Sequence, residues 1–133
     1  MKLPAGNLGL LWLRALAGAG IAYHGYGKVF GGHMDQMIQG VAAMGFPMPV
    51  FFAWAAALSE FAGGICLVLG LGTRFAAAFI FITMSVAAFI THSKDPLSVK
   101  ELALAYWTAS GALIFMGGGC WSLDSLLCKK SSR

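Results

Sequence analysis

The stretch PVFFAWAAALSEFAGGICLVLGL, residues Pro49–Leu71, is apolar throughout except for Ser59 and one carboxylate, Glu60, set midway along it. Crossing the hydrocarbon of a bilayer takes about 20 largely apolar residues at about 1.5 Å of rise each, and this run is long enough. It opens after Phe46-Pro47-Met48 and closes on Gly70-Leu71-Gly72, both strong breakers. In lipid such a run must be helical, because every backbone donor and acceptor needs a partner within the segment.

Three further runs have the same character: 8–30, 73–91 and 99–116. Ser93-Lys94-Asp95-Pro96 precedes the last, and Gly117-Gly118-Gly119 closes it. The whole chain of 133 residues reads as one domain, 1–133, in which 59% of residues are hydrophobic and 11% charged. A soluble protein of this size needs far more polar surface. The net charge of +4 does not indicate nucleic acid, since the basic residues sit at the ends of apolar runs. The expected fold is therefore all-α, an integral membrane four-helix bundle. Lys2 before an apolar core imitates a signal peptide, but Arg14 interrupts that core and three runs follow, so the first run reads as a retained span.

The connection 31–47 is long for a bundle. Met34, Met37, Ile38 and Val41 recur in it at helical spacing, which predicts a short amphipathic surface helix between the first two spans. The methionines could also suggest a Cu(I) site, but at this spacing apolar packing is the commoner use, and no metal is expected. Lys and Arg set the orientation. Lys2, Arg14, Arg74, Lys129, Lys130 and Arg133 fall on one side and Lys28, Lys94 and Lys100 on the other, which predicts both termini in the cytoplasm of an inner membrane. Cys66, Cys120 and Cys128 form no C-x-x-C pair, and no structural disulfide is expected.

Ionisable residues within spans mark function more often than packing, because each costs roughly 2.5–3.5 kcal/mol near a helix centre on insertion scales. Here they are Arg14, His24 and Lys28 in the first span, Glu60 in the second, and His92 and Glu101 at the outer ends of the third and fourth. At about 100° per residue Arg14, Gly18, His24, Gly25 and Lys28 share a sector. Glu60 shares one with Ala53, Ala56, Ala57, Gly63 and Gly64, and Glu101 with Ala105, Thr108 and Ala112. Small residues mark close helix approach in membranes, so these faces should point inward. Glu60 is then within reach of Arg14 or of a chain ending at His24, while Lys28, His92 and Glu101 gather at the outer mouth. The bland alternative is that Arg14 and Glu60 form a pair that only fixes helix register and that His24 and His92 are interfacial histidines. For His92 and Glu101, whose helix ends reach headgroups and water, it is the preferred reading.

These residues also resemble a known family. His24-Gly25-Tyr26-Gly27-Lys28 is similar to the HGxxK segment of DoxX proteins, and Arg14-Ala15-Leu16-Ala17-Gly18 to the start of their first helix. The resemblance runs on through Met44–Pro49, Glu60–Gly64, Leu69–Arg74, His92 and Gly117–Asp124. Cys120 stands where the closing motif commonly carries Arg. The resemblance implies a polar interior of Arg14, His24, Lys28, Glu60 and His92, and an association with thiosulfate:quinone or thiol-handling membrane complexes.

From these residues the preferred function is an accessory or quinone-binding subunit of a membrane redox complex. Quinone is the cofactor class, and Glu60 with His24 the candidate proton relay. Nothing in the sequence supplies an electron carrier: it has no haem-attachment motif, flavin fingerprint or iron–sulfur spacing, so neither haem nor flavin is expected, and the donor would be a redox partner protein. A homo-oligomer is a further partner class. Two alternatives stay open: a non-enzymatic assembly or stabilising factor, and a small transporter or proton pathway through Glu60. Whether the chain is an enzyme is not fixed by its sequence.

Overall fold

The structure, a computed structural model, describes residues 5–131. Lys2 and Arg133, both used in the orientation argument, lie outside the described residues. The described chain is entirely helical between its turns: α1 (Ala5–Phe30), α2 (Met34–Ala43), α3 (Pro49–Leu69), α4 (Thr73–Val86), α5 (Leu97–Met116) and α6 (Leu123–Ser131). A π-helical turn, Ala87–Thr91, prolongs α4.

Three helical stretches are long and apolar enough to cross a membrane: Ala5–Phe30, Pro49–Leu69 and Thr73–Thr91. The helix α5 matches them in length with 20 residues, but Lys100 and Glu101 in its first turns lower its hydropathy. The outward faces fit lipid. Trp12, Tyr23, Phe75, Phe79 and Phe115 are each at least 60% exposed, far more apolar surface than a soluble domain tolerates.

Helix α1 packs along α3, and glycine makes the contact possible. A side chain at Gly25 would strike the Phe61 backbone, and one at Gly64 would meet the Ala22 amide and the Gly18 carbonyl. The expected small-residue face of α3 is indeed its buried face, with Ala53, Ala57, Glu60, Gly63 and Gly64 all buried. The core below Glu60 is apolar, built from Ile21, Leu67, Ile80, Met84 and Leu113.

Helix α5 turns differently from the expectation. Glu101, Ala105 and Thr108 face outward, and Ser110 and Leu113 are buried instead. Trp107 anchors this rotation. Its indole stacks on Phe81 at 5.2 Å, and its N–H donates to the Ser85 hydroxyl at 3.0 Å. One large aromatic with a polar edge therefore outweighed the small-residue stripe.

Helix α2 lies where the spacing placed it. Val41 is buried, and Met34, Met37 and Ile38 are partly covered. The Thr91 hydroxyl contacts the Met44 sulfur at 3.1 Å, tying the end of α2 to the end of the π-turn. Helix α6, which the sequence reading did not include, carries Leu123, Leu126 and Leu127 exposed on one side and Lys129 and Lys130 in its last turn.

Candidate functional site

The charged residues of the interior separate into two clusters at opposite ends. At the end formed by the closing motif, Arg14 is only 1% exposed. Its Nη1 donates to the carbonyls of Leu67 and Val68, each at 2.7 Å, and its Nη2 to the Trp121 carbonyl at 2.7 Å. Leu67 and Val68 are among the last residues of α3, whose terminal carbonyls have no partner within the helix, so the guanidinium closes a helix C-terminus. Asp124 does the complementary job for α4. Its carboxylate accepts the backbone N–H of Gly72 at 2.7 Å and of Thr73 at 2.9 Å, and its own N–H donates to the Gly70 carbonyl at 2.9 Å. Gly70 holds the turn in the left-handed region at φ 72°, where a Cβ would also strike Ser122 and Arg14.

Burial alone would push the Asp124 carboxyl up. The N–H donors of Thr73 and Gly72, with the nearby Arg14 charge, outweigh it and hold the group below its usual range. A carboxyl lowered on folding stabilises the fold above its unfolded value, near 4, and that contribution is lost as pH falls through the lowered folded value. Asp124→Asn removes the charge at the N-terminus of α4 and one of the two acceptor oxygens, and should therefore destabilise by about 1 kcal/mol at pH 7. The difference from the native protein should shrink below about pH 4, as thermal unfolding in detergent would report.

The second cluster is the candidate site. Glu60, 2% exposed, is held by Lys28, whose Nζ lies 2.7 Å from both carboxylate oxygens. Around this pair opens a slot of about 180 Å³. His24 and Lys28 from α1, Glu60 from α3, His92 beyond the π-turn and Tyr106 from α5 supply its polar lining. Ile21, Met84 and Leu102 are among the apolar residues that complete it. The π-turn matters to this arrangement. The His92 N–H donates to the Ala87 carbonyl five residues back, so the helix gains a residue just before His92 reaches the slot. Its Nδ1 lies 2.7 Å from the Asp95 carboxylate.

Four of the five expected interior residues, His24, Lys28, Glu60 and His92, thus line one slot, but His24 does so from an exposed position at its rim and not from the interior. Arg14 does not join them, and no Arg14–Glu60 pair forms. Roughly 15 Å of helix separates the depths of Arg14 and His24, and backbone carbonyls at its own end engage the guanidinium. Glu60 turns instead toward the C-terminal end of α1 and takes Lys28 as its cation. Glu101 is exposed and does not line the slot. Tyr106 was missed because nothing in the spacing marks a half-buried tyrosine as a liner. The role of the closing motif is not legible in the sequence, because it consists of a carbonyl at Trp121 and a carboxylate at Asp124 that engages backbone N–H groups of the α3–α4 turn.

The slot and the clamp are built largely by segments that a family model recognises. The DoxX model matches residues 9–93. The chain belongs to the DoxX family. It is similar to the inner membrane protein YqjF of Escherichia coli K12, 30% identical over 129 residues, covering 93% of this chain and 95% of that one. It is also similar to the inner membrane protein YphA of the same organism, 33% identical over 109 residues, 75% of this chain and 76% of that one. A Haemophilus influenzae protein described as uncharacterized is 34% identical over 128 residues, 91% of this chain and 92% of that one. No solved structure matches. The part of this DoxX protein that the model matches includes Arg14, His24, Lys28, Glu60 and His92, whereas Tyr106 and Asp124 fall beyond it.

Proposed function

We propose that this DoxX membrane protein lies in the inner membrane with both termini cytoplasmic and crosses it four times, α5 being the fourth span. In this reading it serves as an accessory or quinone-binding subunit of a membrane redox complex. The observation that carries the proposal is the slot itself: His24, Lys28, Glu60 and His92 converge on one small space whose remaining lining is largely apolar. A quinone needs donors for its ring oxygens, an apolar surface for the ring and a group that exchanges protons. The slot offers Lys28 and the imidazoles as donors, and Glu60 beside His24 as the candidate relay. Its volume falls below the roughly 300–1,000 Å³ of sites that enclose a drug-sized ligand, so it suits a head group alone. The electron carrier would reside on a partner protein, and this chain would hold and protonate the quinone.

The test is mass spectrometry of quinone co-purified from mild detergent, with Glu60→Gln and His24→Ala run beside the native protein. Near-stoichiometric quinone in the native protein, at least tenfold depleted in either folded variant, is the expected result. No quinone in any sample, and none taken up on titration, would refute the proposal.

A second reading, a non-enzymatic factor that stabilises a partner complex, draws support from a different feature. An apolar groove of about 480 Å³ runs between α3 and α4, with Ala62, Gly63 and Cys66 beside the rings of Phe75 and Phe79. Such a surface suits close approach of another helix. A proton pathway through Glu60 has the weakest support, since the buried core beyond Glu60 is lined by Leu67, Ile80 and Leu113.

A further inference from the structure

The bundle is not closed equally on all sides. Helices α1 and α3 meet backbone to backbone through Gly25 and Gly64, and α4 and α5 are joined by the Phe81–Trp107 stack. Helices α1 and α5 face each other more loosely, and Tyr106 bridges them. Its ring stands edge-on to His24 at 6.0 Å, and its hydroxyl fits the notch that Gly20 leaves by lacking a side chain. The slot lies in this seam. Its rim carries exposed residues on both sides, His24 on α1 and Val99 and Leu102 on α5. Those residues sit on the flank of the bundle, at the level of the outer half of α1. An opening there, in a chain that spans the membrane, faces acyl chains.

Resting on the quinone reading above, we infer that the ligand reaches the slot sideways from the bilayer through the α1–α5 seam, and that Tyr106 is a ligand-binding residue that donates to its ring oxygen. The slot holds one ring, so a long tail must stay outside, and the seam is where a tail can remain in lipid while the ring enters. Among the described residues no hydrogen bond engages the Tyr106 hydroxyl, whereas the Lys28 ammonium is shared with Glu60. Tyr106 is therefore the uncommitted O–H donor of the site. Its place between Gly20 and His24 puts it on the path that a ring must take. The ligand class is thus narrowed to an amphiphile with a single acceptor-bearing ring, dissolved in the membrane.

The test uses the full chain in phosphatidylcholine vesicles with a photoreactive azidoquinone carrying a ten-carbon tail, and maps the adducts by peptide mass. Adducts should fall within 21–28 of α1 and 99–106 of α5, and an excess of non-reactive decylquinone should suppress them. Tyr106→Phe keeps the ring packing, so its unfolding temperature should match that of the native protein. Its affinity for the probe should fall on the order of fivefold, the effect of one lost hydrogen bond. Suppressible adducts confined to the α3–α4 groove, or a Tyr106→Phe affinity equal to native, would overturn this inference. Quinone that co-purifies and is lost in Glu60→Gln would in that case still stand. Absence of any suppressible adduct and of any co-purified quinone would overturn both.

Discussion

Arg14→Ala is expected to abolish most of the folded, monodisperse protein recovered in detergent, a larger loss than any substitution on the lipid-facing surface should produce. The side chain is 1% exposed and donates to three carbonyls, those of Leu67, Val68 and Trp121. An acceptor left without a donor costs about 1–3 kcal/mol, and because the Leu67 carbonyl keeps the Gly70 N–H at 3.3 Å the loss falls chiefly on Val68 and Trp121. Removing a positive charge from the C-terminal end of α3 adds a further few tenths to about 1 kcal/mol. Water admitted to the gap would recover part of this, which leaves about 3–5 kcal/mol, a large fraction of the stability of a small domain. Loss of the guanidinium also frees the loop through Trp121, and with it the segment that places Asp124 on the N-terminus of α4. Arg14→Lys should rescue only partly, because an ammonium is a point charge and cannot reproduce the planar fork that reaches two helix carbonyls and a loop carbonyl together. The measurement is the thermal unfolding midpoint and the size-exclusion profile. A midpoint for Arg14→Ala within about 2 °C of native, against the several degrees that 1 kcal/mol is worth in a domain of this size, would show the clamp to be dispensable.

Much of this fold was legible because lipid leaves a chain few options. The run Pro49–Leu71 had to be a helix, its breakers had to be turns, and helix α3 occupies Pro49–Leu69. The amphipathic run after α1 became α2 for the same reason of periodicity. The rotation of α5 was not legible. Glu101, Ala105, Thr108 and Ala112 form as clean a small-residue stripe as the one on α3, yet Trp107 finds Ser85 and Phe81, and the stripe turns out. A pattern within one helix states which residues share a face and not which partner that face will meet. The site was half legible on similar grounds. Carboxylate, imidazoles and ammonium announced themselves by being expensive in lipid. Which cation Glu60 would choose was a matter of depth, and the roles of Trp121 and Gly70 are those of backbone carbonyls, which any residue supplies. The π-turn before His92 follows from no side-chain pattern we can name.

The Lys28–Glu60 pair gives the second large effect, and its value lies in an asymmetry. Lys28→Met removes the cation and leaves a carboxylate that is 3% exposed with neither of its two 2.7 Å contacts. Stranding a buried charge costs about 3–5 kcal/mol unless the group takes up a proton. Glu60→Gln is the milder change. The Lys28 side chain is 34% exposed and lies in the last turn of α1, so its ammonium can reach water while its methylene stem stays packed. The double variant Lys28→Met/Glu60→Gln should regain much of what Lys28→Met loses, because burying an unpaired amide costs less than burying an unpaired charge. Thermal unfolding in detergent measures all four corners of this cycle, and a coupling energy of at least about 2 kcal/mol is expected for groups in direct contact. On the quinone reading proposed above, quinone content then separates the two meanings of the pair. If the ions serve only to hold α1 against α3, the stable double variant keeps its quinone. If they serve the slot, the double variant folds and comes out empty, because Lys28 and Glu60 supply polar contacts to the head group that Met and Gln cannot replace. The expected result is the empty, folded protein. A double variant that retains both its stability and its quinone would reduce the pair to a register lock and leave His24, His92 and Tyr106 to carry the site.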